Sequence, residues 1–403
     1  MIKTKVLLFI VFSSVFLLSC QENIVKKIFI PKNIVIAHRG STFHTPEETE
    51  AAYLWARNIG ADYLEVDIQR SKDGVLLALH DMQLTRTTNI EQVYPEKKEL
   101  SANNFTFEEL LLLDAGSWFN TKNPERSQIA FSSVAEVNET KQVAFYFDEK
   151  GEKKIYLNAN RKVYIGGKLG ISTLEDVIRI AEGYRVAKDS VGNRLYKKYE
   201  KDGRTEYRLY YVVDTSDIGH RPGVYIETKE PQLFPNVEKE LFNKLDQLGW
   251  NILTHPQSDT VTTKNGMVNI GNTSAKIILQ TFSPKSLKNL FMEFHGKVPT
   301  CFLLWLGDPN MMKNDSITYF KNLEWAKKYR AQIIGPSIAG EPNNYDDLLT
   351  EKNYKWIRSY GFLIHPYAFD TYSQAQLYGN FCDGMFTNRA EITIDYYKKI
   401  NKR

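Results

Sequence analysis

The sequence predicts an α/β chain that closes into a (β/α)8 TIM barrel with two polar, partly β insertions. Three observations predict it. Short apolar, β-branched runs alternate with helical patterns from residue 33 to 399, the order of a parallel sheet with helical crossovers. The repeat continues long enough to supply the eight units of a closed barrel. Two polar stretches, at about 123–170 and 184–221, interrupt the order without a large core of their own.

In chain order, Lys3 and Lys5 precede an apolar run from Val6 to Leu18, and small residues lead to Cys20. This is the pattern of a signal peptide, and the run is shorter than the roughly 20 residues a spanning helix needs. Leu17-Leu18-Ser19-Cys20 resembles the bacterial lipobox. Residues 1–20 are therefore expected to direct export. A lipidated Cys20 would hold the protein to a membrane as a lipoprotein, on the periplasmic or outer-membrane side, with 21–32 as a polar tether.

Candidate strands follow at about 33–37, 61–68, 75–80, 223–228, 276–281, 300–305, 331–335, 361–366 and 383–386. Candidate helices lie at 47–58, 106–113, 172–182, 236–248, 284–294, 319–330, 344–357 and 388–399. Ser172 and Glu175 have capping-box spacing, and Pro284 after Ser283 suits a first helical turn. Nine strands are one too many for the barrel, so one of them lies outside it or is no strand. Alternating segments at 143–148, 154–158 and 162–167 read as a small β meander. Both insertions are expected as cover on one barrel domain, 33–399, rather than as separate modules.

Composition narrows the function classes. The 403 residues are 42% hydrophobic, enough for a sizeable core, and 52 Lys and Arg against 48 Asp and Glu leave only +4. Disorder and an electrostatic case for nucleic acid both fall away. Cys301 and Cys382 stand far apart with no Cys-x-x-Cys pattern, so two buried thiols are expected rather than a structural zinc site.

The chemistry concentrates at strand ends. On 61–68, Leu64, Val66 and Ile68 share one face while Glu65 and Asp67 share the other. On 223–229, Glu227 and Lys229 share a face in the same way. Carboxylates inside a parallel barrel are costly unless paired or bound to a cation. Three of them converging would make a hard, all-oxygen site for one divalent cation, Ca2+ or Mg2+. A carboxylate–lysine network with no cation is the alternative. His38, with Arg39 beside it, ends one strand run and His80 another. Two imidazoles supply a proton acceptor and donor, the cations Arg39 and Lys229 can offset phosphate charge, and Gly40 allows close backbone approach. The set suits phosphoryl transfer.

These residues carry a family resemblance. IleAlaHisArgGly at 36–40, ProGluGluThr at 46–49, GlyAlaAspTyrLeuGluValAspIle at 60–68, LysAspGlyValLeuLeuAlaLeuHisAsp at 72–81 and TyrIleGluThrLys at 225–229 resemble the glycerophosphodiester phosphodiesterase family, in the style of its exported bacterial members. LeuLeuAspAlaGlySerTrpPhe at 112–119 and LeuIleHisProTyr at 363–367 fit the same pattern. The resemblance implies metal-dependent hydrolysis of glycerophosphodiesters, such as glycerophosphocholine, to glycerol 3-phosphate and an alcohol. Carried over by position, Glu65, Asp67 and Glu227 match the metal ligands, His38 and His80 the acid/base pair, and Arg39 and Lys229 the phosphate contacts. His38 is expected as base and His80 as acid. Glu47 and Asp81 are expected to support these groups from behind.

Two departures stand out. Glu48 occupies a position where the family has asparagine or histidine, which is expected to add negative charge. PheThrAsnArgAla at 386–390 lacks the usual Thr-Asp pairing. Gln280, Trp305 and the His365-Pro366-Tyr367 run are expected as pocket wall or core, and Trp118 with Phe119 as rim or cover. His44, His220, His255 and His295 are expected to be solvated. Two rival functions share the fold: a phospholipase acting on membrane lipid headgroups, and a non-catalytic surface lipoprotein that binds a protein partner. The polar insertions favour the small soluble diester over the lipid.

Overall fold

The alternation read from the sequence becomes a barrel in a computed structural model, which describes residues 27–122, 145–147, 153–155, 169–264 and 267–403. The chain enters through β1 (Ile34–Ala37), α1 (Glu50–Ile59) and β2 (Tyr63–Arg70), then turns back in β3 (Leu76–Ala78). Short helices α2 (Ile90–Val93), α3 (Phe107–Leu110) and α4 (Ser117–Lys122) precede the hairpin of β4 (Phe145–Phe147) and β5 (Lys153–Ile155). Helix α5 (Leu174–Ala181) leads to β6 (Tyr184–Val186), β7 (Tyr196–Lys201), β8 (Arg204–Leu209) and β9 (Tyr211–Val213). The barrel resumes with β10 (Gly223–Thr228) and α6 (Val237–Gln247), followed by the small hairpin β11 (Thr263–Lys264) and β12 (Met267–Val268). It ends with β13 (Ile277–Thr281), α7 (Pro284–Glu293), β14 (Thr300–Leu304), α8 (Ser316–Lys328), β15 (Ile333–Pro336), α9 (Glu351–Ser359), β16 (Leu363–Ile364), α10 (Tyr372–Tyr378), β17 (Gly384–Thr387) and α11 (Ala390–Lys399).

Eight parallel strands pair in the order β16-β15-β14-β13-β10-β2-β1-β17. Backbone bonds from Asp383 N to Ile364 O (2.8 Å) and Phe386 N to Pro366 O (3.1 Å) bring the two ends of that path together. The ninth expected strand, 75–80, is the one outside the barrel: β3 lies antiparallel to β2, with Ile68 opposite Ala78. Its few residues after a Ser-Lys-Asp-Gly turn leave no length for the crossover that a parallel neighbour requires.

Side-chain alternation sorts the strands into two cores. Val35, Leu64, Val66, Val224 and Ile226 face the helices, while Ile34, Ile36, Tyr63, Tyr225 and Ile278 fill the barrel interior. A third, satellite core lies under the segment after β3, built by Leu77, Leu79, Leu84, Phe105, Phe107 and Leu110. It gives the non-barrel hairpin a rigid floor.

Helix starts follow the caps. The capping box at α5 uses Thr173 and Asp176, one residue later than the Ser172–Glu175 pair the spacing suggested. Ser283 caps α7 with Pro284 in its first turn, as expected. Helix 344–357 begins only at Glu351, where Thr350 caps it.

The β4–β5 ladder falls within the expected meander, whose 162–167 segment lies outside the described residues. The second insertion forms the antiparallel pairs β6–β9 and β7–β8. Cys301 and Cys382 are free, buried thiols. His255 and His295 are exposed, but His44 and His220 are buried against the solvated reading. His220 bonds the Ala61 carbonyl (2.5 Å), and His44 stacks on Trp55 (5.4 Å). Both occupy tertiary contacts that no local pattern encodes.

Candidate active site

Parallel register puts the charged residues on one level of the barrel mouth. Glu227 is opposite Asp67 across β2 and β10, and Gln280 is opposite Glu227 across β10 and β13. Glu65, Asp67 and Glu227 are all buried, and each offers an oxygen within 4.8 Å of the others. They stand above the aromatic floor of Tyr63 and Tyr225, whose rings meet edge to face at 5.8 Å.

Each carboxylate is held differently. Glu65 accepts from the Arg39 backbone N–H (2.7 Å) and from Gln280 Nε2 (2.8 Å). Gln280 is thus more than pocket wall: it orients a carboxylate. Glu227 faces Lys229 Nζ at 3.0 Å, and Asp67 lies 3.8 Å from the same ammonium. Asp67 Oδ2 is buried 3.2 Å from Arg39 Nε without hydrogen-bond alignment. Burial and the neighbouring carboxylates push Glu65 well above the usual carboxylate range. Burial also pushes Glu227 up to about 8, with Lys229 opposing and Asp67 adding to the rise. Asp67 goes the other way: despite its burial, Lys229 and the other nearby positive groups hold it low.

Such a group fits a hard divalent cation. The donors are all oxygen, one of them has no hydrogen-bond partner, and two resist ionisation where they stand, so a dication would relieve repulsion that Lys229 alone leaves.

Glu48 is buried directly behind this group. Its Oε1 accepts from the Asp67 backbone N–H (3.0 Å) and its other oxygen takes the Tyr53 hydroxyl. Burial and the charges of Asp67 and Glu65 push its carboxyl well up, while the two hydrogen bonds it accepts oppose them. At Gly40, φ is +85°, and a Cβ there would stand 2.5 Å from Ala52 Cβ, so α1 itself requires the glycine.

The two histidines flank the triad. His38 directly follows β1, and its Nδ1 lies 2.8 Å from Asn388 Oδ1. Burial and the adjacent Arg39 push it down to about 3, so it is neutral near pH 7. His80 stands on the hairpin after β3, which corrects the expectation that it ends a barrel strand. Its Nδ1 lies 2.6 Å from Asp81 Oδ1. Burial, Arg39 and Lys229 lower its pKa, while Asp67 and Asp81 oppose them.

Behind His80, Arg86 joins Asp81 to Glu47, donating to both Glu47 oxygens at 2.8 and 2.6 Å. Arg39 Nη1 reaches the same Glu47 at 3.2 Å. Glu47 therefore sits between two guanidinium groups, which hold it at about 2 against its burial.

A cavity of about 1030 Å3 opens over these groups, lined by His38, Arg39, Glu65, His80, Glu227 and Lys229 on one side. The opposite wall is aromatic: Trp305 meets Tyr345 at 4.8 Å, with Tyr367 behind them at about 6 Å. His365 lies deeper, fully buried, with Nδ1 3.2 Å from the Tyr225 hydroxyl, so it is core rather than wall. Trp118 and Phe119 do not line the cavity, and Phe119 packs as cover.

Sequence reasoning missed Arg86 altogether, since nothing in its loop marks it. Asn388 was signalled only by a departure from pattern, and its partner Asp370 by nothing.

Comparison with known proteins points to the family that the sequence resembles. Residues 38–187 match the glycerophosphoryl diester phosphodiesterase family model. A glycerophosphodiester phosphodiesterase of Bacillus subtilis is 25% identical over 360 residues, covering 89% of this chain and 84% of that protein. One from Caldanaerobacter subterraneus is 44% identical over 91 residues, 23% of this chain and 34% of that one. A solved Oleispira antarctica phosphodiesterase in complex with the product sn-glycerol-3-phosphate superposes with a TM-score of 0.51 at 15% identity, over 92% of this chain and 97% of the other. At that identity the likeness shows the shared barrel fold.

Proposed function

We propose that this member of the glycerophosphodiester phosphodiesterase family, whose pattern occupies residues 38–187, hydrolyses soluble glycerophosphodiesters to glycerol 3-phosphate and an alcohol. His38 is the general base, His80 the general acid, and Glu65, Asp67 and Glu227 hold one divalent cation, Ca2+ or Mg2+. The observation that carries the reading is the pair of imidazoles with unlike supports on either side of one carboxylate triad: an amide oxygen behind His38, a carboxylate behind His80. The product bound by the Oleispira relative supports the glycerol 3-phosphate side of the assignment.

Bound at the triad, a dication would polarise a phosphate oxygen and acidify a nearby hydroxyl. His38 Nε2 takes the proton of a glycerol hydroxyl, whose oxygen forms a bond to phosphorus. The P–O bond to the alcohol breaks, and His80 gives its proton to the departing oxygen, leaving a cyclic glycerophosphate. Water then opens the ring with the proton transfers reversed, and glycerol 3-phosphate leaves. Arg39 and Lys229 offset the charge on the phosphate throughout. Gln83, Gln232, Asn310 and Lys321 around the cavity suit a hydrated headgroup better than an acyl chain.

The test is glycerol 3-phosphate release from glycerophosphocholine by the fragment beginning at Gln21, after chelation and again with Ca2+ or Mg2+ restored. Release that requires the ion and disappears in Glu65→Ala is expected. Release that survives chelation would overturn the metal assignment, and no release from any glycerophosphodiester would overturn the substrate class.

For location, the basic, apolar and small-residue pattern of residues 1–20 supports export and lipid attachment at Cys20. Incorporation of labelled fatty acid that is lost in Cys20→Ala is the expected result, and equal labelling of both chains would exclude the anchor.

A further inference from the structure

Asn388 lies just past the end of β17, on backbone held from two sides. Its N–H donates to the Phe369 carbonyl (3.0 Å), and its carbonyl accepts from the Phe43 N–H (3.1 Å). Its side chain lies between two groups of opposite demand. Oδ1 lies 2.8 Å from His38 Nδ1 and accepts from Thr42 Oγ1 at 2.9 Å. Nδ2 donates to both carboxylate oxygens of buried Asp370, at 3.0 and 3.1 Å. Asn343 Nδ2 donates to the same Asp370 at 2.7 Å, so that carboxylate is itself anchored.

An amide has one donating end and one accepting end, and a carboxylate can only accept. Asp370 therefore dictates which end of Asn388 points where: the NH2 toward the carboxylate, the oxygen toward His38. A carbonyl oxygen offers no proton, so the imidazole nitrogen facing it must carry one. In a neutral imidazole, that leaves the lone pair on Nε2.

We propose that Asn388, oriented by Asp370, is a positioning residue that fixes His38 in its Nδ1–H tautomer and so presents Nε2 to the substrate as proton acceptor. The proposal rests on the reading of His38 as general base. It also assigns work to the Thr-Asn departure at 387–388, which sequence patterns leave without a role: a neutral amide relays the orientation, and the negative charge stands one side chain further away, on Asp370.

The test reads the tautomer directly. In 15N-histidine-labelled protein lacking residues 1–20, with His38→Gln to assign the signals, His38 is expected to show a protonated-type Nδ1 and a lone-pair-type Nε2 at neutral pH. In Asp370→Asn the Asn388 amide is free to turn, so an Nε2–H population is expected. The kcat on glycerophosphocholine should fall about 10- to 100-fold with little change in KM, in line with other partners that orient a functional imidazole. Asn388→Ala should lose kcat to a similar degree and show no tautomer preference, whereas Thr42→Val, which keeps the relay, should retain the wild-type spectrum.

A dominant Nε2–H tautomer in the unmodified protein would overturn the proposal. So would an Asp370→Asn variant with wild-type spectrum and kcat. Should Asn388→Ala fail to fold, the wild-type and Asp370→Asn spectra still decide. If the protein cleaves no glycerophosphodiester, the function proposal fails on its own assay, while the spectrum separately reports whether the relay exists.

Discussion

His38 and His80 border the same cavity, yet one is supported by neutral groups and the other by charged ones. His38 emerges from the end of a barrel strand, so parallel register alone brings it beside Glu65 and leaves its ring to be oriented by an amide. His80 sits on a hairpin outside the barrel, over a satellite core. It is tied back to the barrel through Asp81, Arg86, Glu47 and Arg39 in turn. A carboxylate directly behind an imidazole stabilises its protonated form, and an amide oxygen only orients the ring. The difference teaches that two rings of the same type at one mouth are held by unlike partners: Asp81 opposes the burial that lowers His80, whereas an amide oxygen faces His38.

The sharpest way to break the comparison is to remove each ring. His38→Ala and His80→Ala are each expected to lower kcat by about 10²- to 10⁴-fold on glycerophosphocholine. The two should part on a diester with a nitrophenol leaving group, which needs little protonation: His80→Ala should recover most of its loss there and His38→Ala should not. The opposite pattern in that assay would exchange their roles.

The triad between the flanks gives the next largest effect. Glu227 at about 8, with Glu65 also raised, means that an incoming dication must displace a proton below that pH. Affinity for Ca2+ or Mg2+, measured calorimetrically, should tighten as pH rises from about 6 to 8, by up to about tenfold per pH unit for each carboxylate proton displaced. A flat profile would show that the carboxylates are already ionised.

Removing the charge behind only one flank sharpens the contrast further. Asp81 raises the His80 pKa, so Asp81→Asn should shift the alkaline limb of kcat/KM toward lower pH and reduce turnover by about tenfold. The limb should stay in place in Asn388→Ala.

The smallest effect concerns stability. Glu47 is held at about 2, below its unfolded value near 4.3. Its contribution is therefore present above about pH 4 and disappears as pH falls toward 2. Urea midpoints of wild type and Glu47→Gln should differ by the equivalent of about 1–3 kcal/mol at pH 6 and converge near pH 2.

Legibility from sequence followed the range of the interactions. Glu65, Asp67, Glu227 and Lys229 were readable because strand alternation is a local rule, and those residues break an apolar run at the period of two. The barrel was readable because the repeat of strand and helix is itself a sequence pattern. The status of 75–80 as a hairpin rather than a barrel strand was not, since a short apolar run looks the same in either setting. That Glu48 is buried behind Asp67 and accepts from its backbone N–H was not legible either, since that contact depends on how α1 packs against β2.

By itself, the sequence determined the fold class, the faces of its strands and the identity of the groups that meet at the mouth, because these follow from periodicities of two and 3.6 residues along the chain. Only the tertiary structure decided how each group is held. Asn388 reaches His38 across 350 positions, and Gln280 reaches Glu65 across 215. Orientation, tautomer and charge state depend on such distant partners and on burial, neither of which is encoded in the residues next door.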